Sequence, residues 1–313
     1  MSGPGNIQYL AHKEIDKEKW DKCIGAAPNG LVYAYSFYLD TMSKNWDALV
    51  LSKGHHSEND YETVMPLTWN SKYGIRYLYQ PFLTAQLGVF GKNIAEPLLA
   101  NFIRAIPSFF RLIEISLNSV NICNTRNKFF SLRNNYILPL NKPYNTLAGN
   151  YNENIRRNIR KAVQSGCTVE KEVAVEKIIE LAVSQMKVKN SQVADNVGRF
   201  RKLYYLLHEK KMTATYGILL KGELLATAVF FFSHSRAFYI LAGNNAGSRD
   251  TGASHLLIDA FIKEHAGKNM LLDFEGSDIP GLKTFYSGFG ANNEPYPFLK
   301  INRLPFFLRW IKR

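Results

Sequence analysis

The sequence predicts an α+β chain of two similar domains, each a mixed β-sheet flanked by helices. Three observations carry that prediction. One order of elements occurs twice, a turn-rich link separates the two occurrences, and 313 residues with 46% hydrophobic content suffice for two cores. In the first half, WDALVLS (46–52), YETVMPLTW (61–69) and YGIRYLYQ (73–80) are rich in β-branched and aromatic residues and are broken by polar or glycine turns, as successive strands are. Ile94, Leu98, Leu99, Phe102, Ile103 and Ile106 then recur at helical spacing, with Pro97 suited to a first turn, and RLIEISL (111–117) reads as a further strand. The second half repeats the series. TATYGILL (213–220), ELLATAVFFFS (223–233) and RAFYILAG (236–243) are strands, Ala253, Leu256, Leu257, Ala260 and Phe261 mark a helix, and NMLLDFE (269–275) is the last strand. Pro, Gly and Asn accumulate in NKPYNTLAGN (141–150), which places the boundary there and divides the chain into 1–145 and 146–313.

Composition narrows the function classes. The formal charge of +13 favours anionic partners, and it is unevenly spread. Residues 1–150 hold 15 Lys and Arg against 11 Asp and Glu, which leaves 24 against 15 for the remainder, so the second half is the more basic. No apolar run reaches the roughly 20 residues that span a bilayer, and the polar start lacks a signal-peptide core, so a cytoplasmic location is expected, with peripheral membrane contact left open. Cys23, Cys123 and Cys167 stand far apart and are expected to be reduced. No HExxH motif is present, and the adjacent His55 and His56 sit in a polar stretch, so no metal is expected. There is no GxSxG, and no histidine lies near a cysteine in sequence. The chemistry expected is direct attack by a substrate amine on an activated acyl group, without a covalent enzyme intermediate.

Three strands leading into a glycine-bearing helix start and a further strand is the core order of the GCN5-related N-acyltransferase (GNAT) fold. The chain resembles the Fem family of tandem GNAT-fold proteins. The resemblance is carried by NYNENIRRNIRKAVQSG at the opening of the second domain, DFEGSD at a strand end, GLKTFYSGFG after it, and VMPLTWNSKYGIRYLYQPFLTAQLGVFG in the first domain. It covers residues 20 to 300 or so. Better known Fem members are aminoacyl-tRNA-dependent ligases acting on the peptide of cell-wall precursors. The resemblance therefore implies an N-acyltransferase or aminoacyltransferase with no permanently bound cofactor. The second domain would carry the transfer, and a degenerate first domain would help bind the acceptor.

Residues for that chemistry can be named. At the end of NMLLDFE, alternation puts Asp273 and Glu275 on one face, where either could orient or deprotonate an amine; for Asp273 a structural ion pair is an equal reading. Asp278 before Ile279–Pro280 reads as a helix N-cap. Fem ligases carry a lysine after the first aromatic of the FYSGFG segment, implicated in steadying charge on the transferring carbonyl. Here Tyr286 stands at that position, a hydrogen-bond donor without positive charge, and Lys283, one helical turn earlier, is the candidate substitute. In a helix over IRRNIRKAVQSG, Arg156, Arg157, Arg160 and Lys161 form a basic stripe opposite Ile155, Ile159, Ala162 and Val163. The stripe is either a solvated face or a surface for an anionic substrate: charged tRNA, a nucleotide-linked wall precursor or coenzyme A. The aromatics of a single-strand stacking platform are absent from this helix.

An alternative donor is written at SRDTGASHLL. Arg249, Gly252, Ala253 and Ser254 partly follow the Arg/Gln-x-x-Gly-x-Gly/Ala loop by which acetyltransferases hold the coenzyme A pyrophosphate on backbone amides; a plain helix start is the other reading. The corresponding QLGVFGKNIAEP of the first domain lacks that spacing. Lys72, Arg76, Tyr79 and Gln80 are its candidate acceptor contacts. Aminoacyl-tRNA and acyl-CoA thus both stand as donors, and a catalytically idle binding module on the same fold is the third reading.

Overall fold

The computed structural model describes residues 7–52, 60–123, 128–185, 191–276, 278 and 280–305. The chain divides into two compact units, residues 1–133 with 295–313, and residues 134–294.

The first unit opens with β1 (Ile7–Leu10), α1 (Lys17–Ala26) and α2 (Ser36–Met42). It continues through β2 (Asn45–Ser52), β3 (Tyr61–Lys72), β4 (Ile75–Leu78), β5 (Phe90–Gly91), α3 (Glu96–Ala105), β6 (Phe110–Ser116) and β7 (Phe130–Arg133). The series of three strands, helix and strand is present as β2, β3, β4, α3 and β6. Tyr73 and Gly74 join β3 to β4 at φ of 53° and 75°, the two-residue turn whose twist matches the strands it connects. Because α3 crosses over the sheet, β6 lies parallel to β4. Its Leu99 and Phe102 pack into a core with Leu49, Met65, Phe110 and Ile113.

Beyond Leu78 the space beside β6 is filled. The Leu87 amide donates to the Ser116 carbonyl at 2.8 Å, and Leu87 bridges to Leu117 in parallel. The Gln80 carboxamide accepts from the Ser116 amide at 3.0 Å and donates to the Thr84 carbonyl at 2.8 Å. Side chains of Asn29, Asn118 and Asn121 all donate to the Val89 carbonyl, at 2.9, 3.0 and 2.9 Å. Asn121 also accepts from the Val89 amide at 2.8 Å, and Asn29 from the Gly91 amide at 3.1 Å. The loop that precedes α3 therefore has these amides engaged by side chains.

The second unit contains β8 (Tyr136–Pro139), α4 (Tyr144–Gly149), α5 (Glu153–Gln164), β9 (Thr168–Lys171), α6 (Val175–Ser184), α7 (Ser191–Glu209), β10 (Thr213–Leu220), β11 (Glu223–Ser233) and β12 (Arg236–Asn244). It closes with α8 (Ala246–Thr251), α9 (Ala253–His265), β13 (Leu271–Asp273), α10 (Pro280–Gly288) and β14 (Asn292–Asn293). Its sheet order is β14-β8-β13-β12-β11-β10-β9. Two-residue turns again make the hairpins, Lys221–Gly222 at 52° and 83° and His234–Ser235 at 51° and 52°. Helix α9 carries the parallel crossover from β12 to β13, and its Phe261 stacks on Phe230 of β11 with ring centroids 3.9 Å apart.

The boundary differs from the expected 145/146. Strand β8 already belongs to the second sheet, antiparallel to β13, so the second unit begins at Asn134. The final strand, β15 (Tyr296–Asn302), belongs to the first sheet and lies between β6 and β7, with Leu299 fully buried.

Candidate functional site

Strand register creates the site. β12 pairs with β13 only from Arg236↔Leu271 to Phe238↔Asp273, yet β12 runs on to Asn244. β13 ends at Asp273, so the pairing diverges there and residues 239–244 of β12 run on without that parallel partner. On the other side, the pairs Val229↔Leu241 and Phe230↔Tyr239 leave Ile240 as an extra residue, a bulge that re-aims the side chains after it. A cavity of about 1190 Å³ adjoins this divergence, lined by Tyr239, Asn244, Ser248, Ser254, His255 and Tyr286 among others. In the first unit the space beyond the paired part of β4 and β6 is occupied by Leu87 and Gln80.

One wall of the cavity is a hydroxyl–amide cluster. Ser254 donates to the Asn244 carboxamide oxygen at 2.6 Å and Ser248 donates to it at 3.1 Å, while the two hydroxyls lie 3.0 Å apart. Another part of the lining is aromatic. Tyr286 is 6% exposed and stacks on Phe274 at 4.6 Å, and burial, with the Glu275 charge nearby, pushes its phenol well above the usual range. Burial does the same to Tyr239. Both hydroxyls therefore keep their protons across the physiological range and serve as donors. His255, in the first turn of α9, meets Phe285 edge to face at 4.9 Å; burial brings its imidazole down to about 4 and keeps it neutral.

The predicted carboxylates separate. Asp273 is 2% exposed and accepts from Arg236 at 2.7 Å and from the Glu275 amide at 2.8 Å. Arg236 also bonds Glu294 at 3.1 Å, so Asp273 belongs to a buried ion-pair network that ties β12, β13 and the end of the unit together. Glu275 does not share its face, because the strand ends at Asp273 and Glu275 adopts φ 63°, which breaks the alternation. Part of Glu275 reaches solvent, but burial of its carboxyl pushes it well above the ordinary carboxylate value. Lys283 is exposed while Tyr286 is buried, and the cavity wall includes Leu282 rather than Lys283. Asp278 accepts from the backbone and side chain of Asn134, at 3.3 and 3.1 Å.

Around SRDTGASHLL, a helix replaces the expected loop. Residues 246–251 form α8, capped by Asn245, and the Gly252 amide donates to the Ser248 carbonyl. Gly252 sits at φ 78°, and a Cβ there would lie 2.3 Å from the Asn158 carbonyl oxygen, so α5 closes directly on this turn. Arg249 and Ser254 line the cavity, whereas Ala253 is wholly buried and Gly252 is engaged in the cap. On α5 itself Ile155 and Ala162 are buried, but Val163 is 58% exposed, so the apolar stripe is narrower than predicted. The basic face is exposed. Arg156 donates to the Gly149 carbonyl at 2.7 Å and Arg160 pairs with Glu153 at 2.7 Å, and Lys161 stands beside them in solvent.

In the first unit the four acceptor candidates each have their own partners. Lys72 lies 5.4 Å from the Tyr73 ring, and Arg76 lies between Trp69 and Phe109 at 5.1 and 5.2 Å. Tyr79 accepts from the Lys44 amide at 3.1 Å, and Gln80 braces the loop already described.

The comparisons with known proteins bear on the fold. No family model and no curated protein matches the sequence. Among solved structures, FemX is similar over 98% of this chain and all of its own, with a TM-score of 0.66 at 14% identity. The chain has a Fem-like tandem GNAT fold. A tandem GNAT protein from the clavulanic acid biosynthesis pathway covers 96% of the chain and 99% of its own length, with a TM-score of 0.57 at 10% identity. A conserved protein of unknown function from Bacteroides thetaiotaomicron covers 94% and 99%, also at 0.57, with 12% identity. At 14% identity or less, the likeness is one of fold. Sequence reasoning missed Tyr239, Asn244, Ser248 and His255. Each is a lone polar residue within a strand or helix pattern, and only the bulge and the strand divergence bring them to one cavity.

Proposed function

We propose that the second unit transfers an activated acyl group, preferably an aminoacyl ester, to a substrate amine in the cavity where β12 leaves β13. The open divergence carries this reading, because it offers a space of about 1190 Å³ lined by two protonated phenols, Tyr239 and Tyr286, at which a carbonyl can be polarised. The amine nitrogen attacks the carbonyl carbon, a C–N bond forms, and the ester C–O bond breaks. The proton shed by the amine ends on the departing ribose oxygen, directly or through water. Tyr286 donates to the oxygen that gains charge. Glu275, enclosed beside Tyr286, is the carboxyl in position to bias that phenol.

Engagement of the Gly252 amide by Ser248 favours an aminoacyl-tRNA over coenzyme A, since the amide expected at a pyrophosphate is already bonded. A nucleotide-linked wall precursor is the acceptor class we propose, held electrostatically by the exposed face of Arg156, Arg160 and Lys161. Acyl-CoA is the second reading, favoured by Arg249 and Ser254 on the cavity wall. Transfer assays with labelled aminoacyl-tRNA and with acetyl-CoA, each offered to a nucleotide-linked wall peptide, separate the two. Product from acetyl-CoA alone overturns the donor assignment, and product from neither overturns the transferase reading.

A further inference from the structure

The Nδ1 atom of His255 is buried and has no hydrogen-bond partner among the described residues, although the same ring lines the cavity. The ring packs among aromatics, Phe285 edge-on at 4.9 Å and Phe289 at 6.4 Å. A neutral imidazole carries one N–H and one lone pair, and the environment selects which nitrogen has the proton. Leaving a lone pair unmet in an apolar wall costs less than leaving an N–H unmet there. The proton therefore belongs on Nε2, the nitrogen left for the cavity. Burial holds the ring neutral, down to about 4, so it presents a donor without bringing a charge.

We infer that His255 is a catalytic residue that donates from Nε2–H to the carbonyl oxygen of the transferring acyl group. It would act as a second donor on the cavity that Tyr286 also lines, by neutral hydrogen bonding. This rests on the acyl-transfer reading given above. In the step it serves, the amine–carbon bond forms while the carbonyl π pair moves onto oxygen; that oxygen accepts from Tyr286 and His255, and the pair returns as the leaving oxygen departs. His255 keeps its own proton throughout. A ring that stayed neutral but presented a lone pair would be a base, which is the competing role.

Two measurements test it independently. Nitrogen-15 spectra of the histidine-labelled full chain at pH 7 report the tautomer without any substrate, and the Nε2–H form is expected for His255, assigned by its loss in His255→Phe. Turnover is then read for His255→Phe, which keeps a flat ring, and for His255→Gln, whose side-chain amide reaches as far as Nε2. His255→Phe should lose about a hundredfold or more in kcat with KM changed by less than about threefold, as removal of an oxyanion donor does, and His255→Gln should recover a substantial part. Melting of His255→Phe should be unchanged or higher, because the unmet Nδ1 is gone. An Nδ1–H tautomer, or wild-type turnover in His255→Phe, overturns the assignment. If the wild-type chain transfers from neither donor, the acyl-transfer reading fails separately. Titration with 3′-aminoacyl adenosine then decides: a shift of the His255 Nε2 resonance supports carbonyl contact, and none overturns it.

Discussion

Tyr286 and Glu275 are adjacent in space, yet the environment asks different things of them. The phenol is buried against Phe274 and remains protonated, so Tyr286→Phe removes a donor while keeping the stacked ring. Loss of an oxyanion donor costs about 2.7–4 kcal/mol of barrier. Tyr286→Phe should therefore lower kcat by roughly a hundredfold or more with little change in Tm; a variant that turns over at the wild-type rate would confine Tyr286 to packing. Glu275 is tested through pH. Its folded-state value is raised by burial, so the folded state holds the proton more tightly than the unfolded chain does. Stability from this group is complete below the unfolded value of about 4.3 and is lost as pH rises through the raised folded value. Glu275→Gln fixes the neutral form, so its Tm relative to wild type should increase between pH 4.5 and pH 8. An unchanged difference across that range would mean the carboxyl is solvated.

At the scale of elements, the turn between α8 and α9 shows what pattern reading reaches and where it stops. The strands β10, β11 and β12 are legible because β-branched and aromatic runs are bounded by residues that accept a two-residue turn, such as Lys221 and Gly222. The segment RDTGAS is not legible in the same way. Its Gly252 suits a phosphate loop and a left-handed helix cap equally, and the choice is made by α5, whose Asn158 carbonyl closes on it. Gly222 supplies a control, with φ 83° and open space where a Cβ would go. Gly222→Ala should cost about 1–2 kcal/mol from the backbone alone. Gly252→Ala carries the same backbone cost plus displacement of α5, and should exceed it by more than about 1 kcal/mol in denaturant titrations. Equal losses would contradict the close approach of α5 to this turn.

For the molecule as a whole, repetition of strand, strand, strand, helix, strand was visible in the sequence because it depends on local periodicity. Membership of each sheet was not. Strand β15, YPFLKIN, lies outside the repeated series read from the sequence, and its partners β6 and β7 lie more than 160 positions earlier, where no local pattern names them. The same holds for the filled space beside β6 in the first unit and the open one beside β12, which differ through Gln80, Leu87 and three asparagines far apart in sequence. The consequence of the returning strand can be measured. Ending the chain at Glu294 removes β15, takes the fully buried Leu299 from the first core, and leaves β7 without its partner among the described strands. Hydrogen exchange on the shortened chain should speed up at residues 110–116 by at least about tenfold, the equivalent of ~1.4 kcal/mol, because an interior strand has become an edge. Residues 223–233 of β11, paired on both sides within the second sheet, should keep their protection. Wild-type protection of β6 in that variant would show that the first sheet closes without its C-terminal strand.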